Sequence, residues 1–219
     1  MGKRWWWVAV GIVAVGAWAA SRDGDTPKAV DAPSQAPKAS VTPQRTASTT
    51  PPAKKDWWVD YDPAQFAPQV RASARRAGIS PTLLMAILYN ESYKPHDPDL
   101  ERSWAQIDSD PAFGIANMHR AAFDDVKRGR KFAVRKWEEL PDHPELAIEA
   151  AAWHLHDLAR QLPAKRSSRY SKDELLALGY NTGAGNMRKF ARGVKAGSQA
   201  QSYLARLHDN WEKSAQAVN

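Results

Sequence analysis

The sequence predicts a mainly α protein, in which one helical domain follows an apolar N-terminal segment and a polar linker. Three observations support this fold class. Apolar residues from Trp57 onward recur three and four positions apart, the spacing of one helix face. The breaks between these segments carry helix-capping residues, with Ser-Pro before a helix and Gly after one. No long stretch alternates between apolar and polar residues with a period of two, so the only strands expected are those of a short two-stranded hairpin between Ser103 and Ile115.

Length and composition exclude several classes of protein. The 219 residues suit one domain of ordinary size plus extra segments, and 43% hydrophobic and 25% charged residues resemble a soluble average. A multi-span membrane protein and a chain disordered throughout are therefore excluded. The chain has no cysteine, which excludes disulfides, thiolate metal sites and thiol nucleophiles. The net charge of +7 suits an anionic partner, but from Trp57 onward 23 basic residues face 20 acidic ones, so no nucleic acid is expected to bind.

Residues 1–20 form an apolar segment that predicts either a signal peptide or a membrane anchor. Lys3 and Arg4 precede sixteen residues without a charge, which as a helix would span about 24 Å. The hydrocarbon core of a bilayer is roughly 30 Å thick, so the segment is short for a spanning helix. The small residues of Ala17–Ala19 would suit a cleavage site, whereas Trp5–Trp7 would suit an anchor at the membrane surface. Both alternatives carry the rest of the chain out of the cytoplasm.

The next segment, residues 21–56, predicts a disordered linker, and residues 57–219 predict the folded domain. Six of the 36 linker residues are proline and fifteen are alanine, threonine or serine. Val30 and Val41 are its only larger apolar residues, so little apolar surface is available to offset the entropy lost on ordering. We therefore expect an extended, mobile linker between the N-terminal segment and the domain.

Two helices are predicted at the start of the domain. The first, Pro63–Ala77, is amphipathic and stops at Gly78, since glycine readily adopts the left-handed conformation of a C-cap. The second runs from Pro81 to about Glu91, because Ser80 is a good N-cap and proline suits the first helical turn. The Pro-His-Asp-Pro stretch that follows is expected to prevent any continuation.

The remainder of the domain predicts five further helical segments. They are His119–Arg128, Pro144–Leu162, Leu175–Tyr180, Asn186–Ala191 and Gln199–Ala217. Ser171 and Glu174 have the spacing of a capping box ahead of the third of these, and Gly183 and Gly185 are expected to end it. In the last segment, Tyr203 lies on the face that is expected to be buried.

Glu91 is the strongest candidate for a catalytic residue. By helical spacing it lies on the side of its helix that Ile87 and Leu88 occupy, which is expected to be buried. A glutamate is seldom buried without a partner. Burial and the negative end of the helix dipole both raise a carboxyl pKa, and a carboxyl that stays protonated near neutral pH can serve as a general acid. The alternative is an exposed glutamate at a helix end, or one paired with an arginine.

Two further segments combine glycine with an amide or a phenol side chain. Phe113–Met118 is an apolar turn with one amide, Asn117, and by itself predicts only a turn. In Tyr180–Gly185 a helix ends in Tyr-Asn and two spaced glycines follow, which allows a close approach of backbone to a ligand. The alternative for this second segment is an ordinary helix end.

The order of these three features resembles the lytic transglycosylase domain of the lysozyme-like superfamily, and more distantly goose-type lysozyme, over roughly residues 79–191. The Glu-Ser pair of that family corresponds to Glu91 and Ser92. Its Gly-Leu-Met-Gln turn corresponds to residues 114–117, with asparagine in place of glutamine. Its Ala-Tyr-Asn-x-Gly-x-Gly motif corresponds to residues 179–185, which begin with glycine instead of alanine.

The resemblance implies a lysozyme-like fold and cleavage of the β-1,4 bond between N-acetylmuramic acid and N-acetylglucosamine in bacterial peptidoglycan, without a cofactor or metal. Glu91 would protonate the glycosidic oxygen and then take the proton of the muramoyl C6 hydroxyl, which leaves a 1,6-anhydro end. Substrate contacts would come from the three motifs, through Ser92, Gly114, Ile115, Asn117, Tyr180, Asn181 and Gly183. The domain would act outside the cytoplasm, anchored to the plasma membrane or secreted into the cell wall.

Two rival functions are a hydrolytic muramidase and a peptidoglycan-binding module without catalysis. A hydrolase needs a second carboxylate or another device to place water. Asp108 and Asp110 precede Gly114 by six and four residues. By the resemblance to goose-type lysozymes, Asp108 corresponds to an acidic residue of those enzymes. Aspartate also commonly forms turns, and we favour that role for both. Asn117 in place of glutamine supports a binding module, whereas Glu91 opposes it.

Five other histidine and tryptophan side chains are not expected to take part in catalysis or metal binding. His154 and His156 are two positions apart on a helix and point to different faces, so they predict no metal pair. His96, in the proline-rich stretch, is expected to be solvated. Trp104 and Trp137 have the aromatic surface to stack on sugars, but both are expected to lie in the core.

Overall fold

The computed structural model describes residues 58–59 and 61–219. Within that part of the chain, eight α-helices and one two-stranded sheet form a mainly helical domain, as the sequence predicts. The predicted apolar segment and linker, residues 1–20 and 21–56, lie outside the described residues. In residues 58–59 and 61–219, no helix is both long enough and apolar enough to cross a bilayer.

The elements follow one another in a simple order. The helices are α1 Ala67–Ala77, α2 Pro81–Glu91, α3 Pro98–Trp104, α4 Arg120–Val126, α5 Pro144–Arg160, α6 Lys172–Thr182, α7 Ala184–Ala191 and α8 Ser198–Val218. Two short 3-10 helices precede α1 and α5, at Pro63–Phe66 and Trp137–Glu139. The strands β1 Ala112–Phe113 and β2 Met118–His119 are antiparallel, with Ala112 opposite His119 and Phe113 opposite Met118.

Local capping explains why several helices begin and end where the sequence predicts. Gly78 ends α1 with a φ of 67°, the left-handed conformation that glycine adopts without steric cost. Ser80 begins α2, since its Oγ accepts a hydrogen bond from the backbone N–H of Leu83 at 3.2 Å. At α6, the Ser171 hydroxyl accepts from the Glu174 N–H and the Glu174 carboxylate accepts from the Ser171 N–H. This is the predicted capping box.

One helix that the sequence analysis did not predict, α3, begins inside the Pro-His-Asp-Pro stretch. Pro98 occupies its first turn, where the missing N–H of proline has little cost. The Asp97 carboxylate accepts hydrogen bonds from the N–H groups of Asp99 and Leu100, both at 2.9 Å. The residues interpreted only as a helix break are therefore also the cap of a new helix.

The predicted hairpin is present but lies further along the chain than expected. The expected interval ended at Ile115, whereas β2 begins at Met118 because residues 114–117 form the turn. The Asn117 N–H closes this turn by donating to the Gly114 carbonyl at 2.9 Å. Asn117 has a positive φ of 45°, a left-handed conformation that asparagine adopts more readily than most residues.

Helix α2 lies at the centre of the domain and packs mainly against α8. Its six consecutive residues from Leu83 to Leu88 are all buried, so α2 is enclosed by protein on every side instead of having one solvated face. Helix α5 packs on α1, and α6 packs on both α7 and α8. Because α2 is enclosed, its last residue, Glu91, lies inside the domain.

Candidate active site

Glu91 is a buried carboxylate, with only 8% of its surface exposed. Both of its carboxylate oxygens accept a hydrogen bond. Oε1 accepts from the Tyr203 hydroxyl at 3.0 Å, and Oε2 accepts from the side-chain amide of Asn117, also at 3.0 Å. The two donors belong to α8 and to the hairpin turn, so three distant parts of the chain meet at this carboxylate.

Burial raises the pKa of the Glu91 carboxyl above its ordinary value, because desolvation disfavours the charged form. The hydrogen bonds from Asn117 and Tyr203 and the charges of Lys94 and Arg206 lower the pKa without cancelling the effect of burial. Glu91 therefore keeps its proton to a higher pH than a solvated glutamate, while its neighbours still stabilise the ionised form. Such a group can donate a proton and then accept one.

Asn117 contacts Glu91 through its amide nitrogen. Nδ2 donates to Glu91 Oε2 and also to the Glu91 backbone carbonyl at 3.1 Å. The Oδ1 atom of Asn117 is buried and has no hydrogen-bond partner in the part of the chain that the structure describes. An unpaired buried carbonyl oxygen is costly. The structure thus brings together two residues that the sequence analysis selected from separate motifs.

Gly114 begins the turn at a position where no side chain fits. Its φ is 71°, and a Cβ atom there would lie 2.8 Å from the carbonyl oxygen of Leu140. The next two residues, Ile115 and Ala116, are fully buried. Ile115 therefore has no surface that a substrate could reach in this conformation.

Tyr180 connects the end of α6 to the turn. Its hydroxyl donates to the Ala116 carbonyl at 2.7 Å, and burial raises the pKa of Tyr180 well above its usual value. Tyr180 is thereby kept as a neutral donor. Asn181 and Gly183 are exposed beside it. Gly183 alone ends α6, because Gly185, which was expected to share that role, already belongs to α7.

Ser92 follows Glu91 and completes the C-terminal end of α2. Its hydroxyl donates to the Tyr89 carbonyl at 2.8 Å. The Ser92 backbone N–H donates to the same carbonyl at 3.4 Å. The Ser92 hydroxyl is thus engaged with the helix end, one residue after the carboxylate.

Tyr203 is the residue of this site that the sequence analysis missed, since it was expected only as part of the core. It lies 112 positions after Glu91 and is 2% exposed. Asn90 holds the α8 backbone at this point, donating to the Tyr203 carbonyl at 3.0 Å, and Asn210 donates to Asn90 at 2.8 Å. The available signal is that a buried tyrosine needs a partner for its hydroxyl, but the sequence pattern does not identify that partner.

Asp108 and Asp110 are exposed turn residues, the role that the sequence favours. Asp108 Oδ1 accepts from the Asp110 N–H at 3.0 Å, and Asp110 Oδ1 lies 3.2 Å from His119 Nδ1. Neither aspartate hydrogen-bonds to Glu91. Lys94 lies near both regions. Burial lowers the pKa of its amine, and the charges of Glu101, then Glu91 and Asp108, oppose that shift.

A cavity of about 680 Å³ has the two aspartates on its wall, but Glu91 does not line it. Trp137 also lines this cavity and is nonetheless buried. Its ring stacks on Phe113 with centroids 3.9 Å apart, and its indole N–H donates to the Met118 carbonyl at 2.7 Å. Trp137 therefore belongs to the core, as expected, whereas the expectation for Trp104 is wrong, since it is 66% exposed.

The expectation for His96 is also wrong. His96 was expected to be solvated, but it is buried, with Nδ1 2.9 Å from Glu101 Oε1. Its partner lies on α3, the helix that was not predicted. His156 bonds to the C-terminal end of α1 and His154 packs on the Tyr180 ring, so the two face different neighbours. Among residues 58–59 and 61–219, no group of three or more histidine or acidic side chains could hold a metal ion.

The family model described as the transglycosylase SLT domain matches residues 68–203. This range is more than half of the 219 residues, and it includes Glu91, the hairpin turn, the end of α6 and Tyr203. No curated protein matches the chain. The family consists of enzymes that cleave glycosyl bonds, with cell-wall peptidoglycan as substrate. The chain therefore belongs to the transglycosylase SLT domain family.

Proposed function

We propose that this domain is a peptidoglycan lytic transglycosylase that uses Glu91 as its catalytic residue. It would cleave the β-1,4 bond between N-acetylmuramic acid and N-acetylglucosamine and leave a 1,6-anhydromuramoyl end. The observation that carries the proposal is the environment of Glu91, a buried carboxyl with a raised pKa between two hydrogen-bond donors. Membership of the SLT family supports the substrate class.

Glu91 acts first as a general acid in this proposal. It donates its proton to the glycosidic oxygen as the bond from that oxygen to C1 breaks and positive charge develops on the sugar ring. The hydrogen bonds from Tyr203 and Asn117 then stabilise the carboxylate that is left. Because these donors are already in place, little reorganisation is needed as the negative charge develops.

The same carboxylate acts next as a general base. It accepts the proton of the C6 hydroxyl of the muramoyl residue while that oxygen forms a bond to C1. One proton leaves Glu91 and one returns, so the enzyme is regenerated and no water is consumed. The raised pKa favours the first step, and the hydrogen bonds to the ionised form keep the second accessible.

A single carboxylate is sufficient for this route because the nucleophile belongs to the substrate. An internal hydroxyl held near C1 has an entropic advantage over a free water molecule. Inverting hydrolysis would instead require a second carboxyl group roughly 6.5–9.5 Å from the first to activate water. Asp108 and Asp110 are exposed and joined in a turn, which gives no support to that role.

The remaining motif residues would bind the glycan strand around Glu91. Asn117 Oδ1 has no partner among the described residues, and it would accept a hydrogen bond from an acetamido N–H when a shift of the turn exposes it. Asn181 and Gly183 belong to the motif of residues 179–185 and are exposed at the end of α6, where they would contact the sugar. Tyr180 and Gly114 would maintain the shape of the turn.

The products of digestion test this function. Purified peptidoglycan is treated with the protein in water enriched in oxygen-18, and the released fragments are analysed by mass spectrometry. We expect muramoyl ends that are lighter by one water than hydrolysis products and that contain no solvent oxygen. Reducing ends that carry the heavy oxygen would contradict the proposal and indicate a muramidase, and Asp108→Asn should then lose activity. Binding without any release would indicate a binding module.

We further propose that residues 1–20 direct the domain out of the cytoplasm and that residues 21–56 act as a spacer before the folded part, residues 57–219. The basic start and the uncharged stretch support this proposal. N-terminal sequencing of the protein from cells distinguishes the two versions, since a start at Ala20 indicates cleavage and an intact start in the membrane fraction indicates an anchor. A domain that only a cytoplasmic protease can reach would contradict both.

A further inference from the structure

A second buried carboxylate, Glu101, lies behind the hairpin turn. Its side chain is 3% exposed and its partner His96 has a side chain that is 0% exposed. His96 Nδ1 lies 2.9 Å from Glu101 Oε1. An ionised carboxylate only accepts hydrogen bonds, so Nδ1 is the nitrogen that donates. Neither residue takes part in the chemistry assigned to Glu91.

The other oxygen of Glu101 holds the backbone of the turn. Oε2 accepts a hydrogen bond from the Gly114 N–H at 2.7 Å. Lys94 assists from the same segment, since its Nζ donates to the Ala112 carbonyl at 3.0 Å and lies 3.9 Å from Glu101 Oε1. We refer to Lys94, His96 and Glu101 as the hairpin clamp, because together they hold β1 and the first residue of the turn.

Contacts with Leu140 and Ala147 at Gly114, and with Glu91 at Asn117, also confine the turn. The Leu140 carbonyl and the Ala147 side chain lie so close to Gly114 that no Cβ atom would fit. Three residues later Asn117 ends the turn in its left-handed conformation and reaches Glu91. A shift of Gly114 would therefore move Asn117 relative to the Glu91 carboxylate.

The hairpin clamp is expected to contribute little net stability to the fold. Burying a carboxylate has a large desolvation cost, and a buried pair often contributes little net stability. His96 adds to that cost, since its Nε2 is buried without a hydrogen-bond partner in the described part of the chain. A charged acceptor does, however, hold a backbone N–H more strongly than a neutral one.

We propose that Glu101 is a positioning residue, held by His96, that fixes Gly114 and thereby places Asn117 against Glu91. This inference rests on the proposed function of Glu91. Glu101 does not touch the reacting atoms, and it acts through the turn.

The test compares Glu101→Asp with Asn117→Ala and with the double variant. Aspartate keeps the charge but is one methylene shorter, so it cannot hold both His96 and Gly114. We expect kcat to fall about 10- to 100-fold with a smaller change in KM, because a displacement of about 1 Å can cost that much in rate. The double variant should be no worse than the more impaired single variant, since both changes remove the same interaction.

A second readout does not depend on turnover. The titration of the Glu91 carboxyl carbon is followed by NMR in the intact domain. Because the Asn117 hydrogen bond lowers the Glu91 pKa, its loss should move the titration midpoint upward in Glu101→Asp and in Asn117→Ala alike. Apart from Asn117, the groups that act on Glu91 or respond to its charge keep their identity in these variants: Tyr61, Tyr93, Lys94, Tyr180, Tyr203 and Arg206.

Glu174→Asp is the matched control. It shortens a carboxylate that caps α6 at Ser171, so it should lower the thermal stability without changing kcat or the Glu91 titration. The inference is overturned if Glu101→Asp behaves like Glu174→Asp, or if its effects add fully to those of Asn117→Ala.

Two further outcomes also decide the positioning role. If the wild-type protein releases no glycan fragments, the proposed function has failed, but an unchanged or a raised Glu91 midpoint still decides the positioning role. If Glu101→Asp does not fold, Glu101→Leu replaces it, because leucine has a similar size and offers no acceptor to the Gly114 N–H. Losing the negative charge alone would lower the Glu91 pKa, so an upward shift in Glu101→Leu would still indicate lost positioning and a downward one would overturn it.

Discussion

The Tyr203 hydroxyl lies 3.0 Å from Glu91 Oε1, so the last helix of the domain supplies a hydrogen bond to the end of α2. Burial, followed by the charge of Glu91, raises the pKa of Tyr203 well above its usual value. Tyr203 is therefore a neutral donor near neutral pH. The protonation of Glu91 consequently depends on how α2 and α8 pack together.

Replacing Glu91 by glutamine should abolish cleavage and leave the fold intact. Glutamine has nearly the same shape and can still hydrogen-bond, but it cannot transfer a proton. Loss of a general acid typically reduces a rate by about 10²- to 10⁴-fold. The release of soluble fragments from purified peptidoglycan measures this loss, and circular dichroism checks the fold.

Asp110→Asn is the appropriate control for that experiment. It removes an exposed carboxylate of the turn, whose neighbour in the structure is His119. We expect activity within about twofold of the wild type, since exposed groups outside a site rarely affect it. A Glu91→Gln protein that keeps most of its activity would show that the proposed mechanism is wrong.

The pH dependence of stability should also identify Glu91. Its pKa is raised in the folded state, so folding favours the protonated form. This contribution to stability is fully present below the unfolded-state pKa, near 4.5, and is lost as the pH rises through the folded-state pKa. Chemical denaturation should therefore show Glu91→Gln gaining stability relative to the wild type as the pH is raised from 4 to 8. A constant difference would mean that Glu91 titrates as an exposed glutamate.

The parts of the fold that the sequence predicted best are set by neighbouring residues. Helix α2 begins at Pro81, as expected, because Ser80 caps it locally, and it ends at Glu91, which was also expected. The capping box of Ser171 and Glu174 likewise acts over three residues. Such signals can be interpreted without knowledge of the rest of the chain, and they also place a carboxylate at the buried end of α2.

The parts that were missed depend on distant partners or on residues with two roles. Pro98 suits both a helix break and a first helical turn, and only the Asp97 cap makes α3 the outcome. Because α3 was not predicted, Glu101 was not recognised as a buried partner, and no pattern in the sequence indicated that His96 is buried. The contact from Tyr203 to Glu91 crosses 112 positions, and helical periodicity predicts only that Tyr203 is buried.

Tyr203→Phe should raise the Glu91 pKa further. The change keeps the ring but removes one donor to the carboxylate, which costs about 1–3 kcal/mol when an ionised buried group loses its partner. Activity that requires protonated Glu91 should therefore persist to higher pH, and the descending limb of the kcat/KM profile should move upward. Tyr170→Phe is the control, because its hydroxyl accepts from the backbone N–H of Ala196 and hydrogen-bonds neither to Glu91 nor to the turn, so this change should leave the limb in place. Equal shifts in both variants would contradict a specific role for Tyr203.

The close packing of the turn can be measured with a pair of glycines that have the same backbone conformation. Gly114 and Gly129 both have a φ of 71°, so alanine at either position carries the strain of a left-handed residue, about 1–2 kcal/mol. A Cβ at Gly129 would meet nothing within 4 Å, whereas at Gly114 it would lie 2.8 Å from the Leu140 carbonyl oxygen. We expect Gly114→Ala to reduce the free energy of unfolding by roughly 1–3 kcal/mol more than Gly129→Ala, the usual cost of overpacking.

The same pair of variants should also separate in activity. Gly114→Ala displaces the turn that carries Asn117, so the release of glycan fragments should fall even at temperatures where the variant is fully folded. Gly129→Ala changes a loop that follows α4 and should retain the activity of the wild type. Urea denaturation and digestion assays on the two proteins measure both differences. Equal losses of stability in the two variants would show that Leu140 gives way, and that the turn is held less tightly than the contacts around Gly114 indicate.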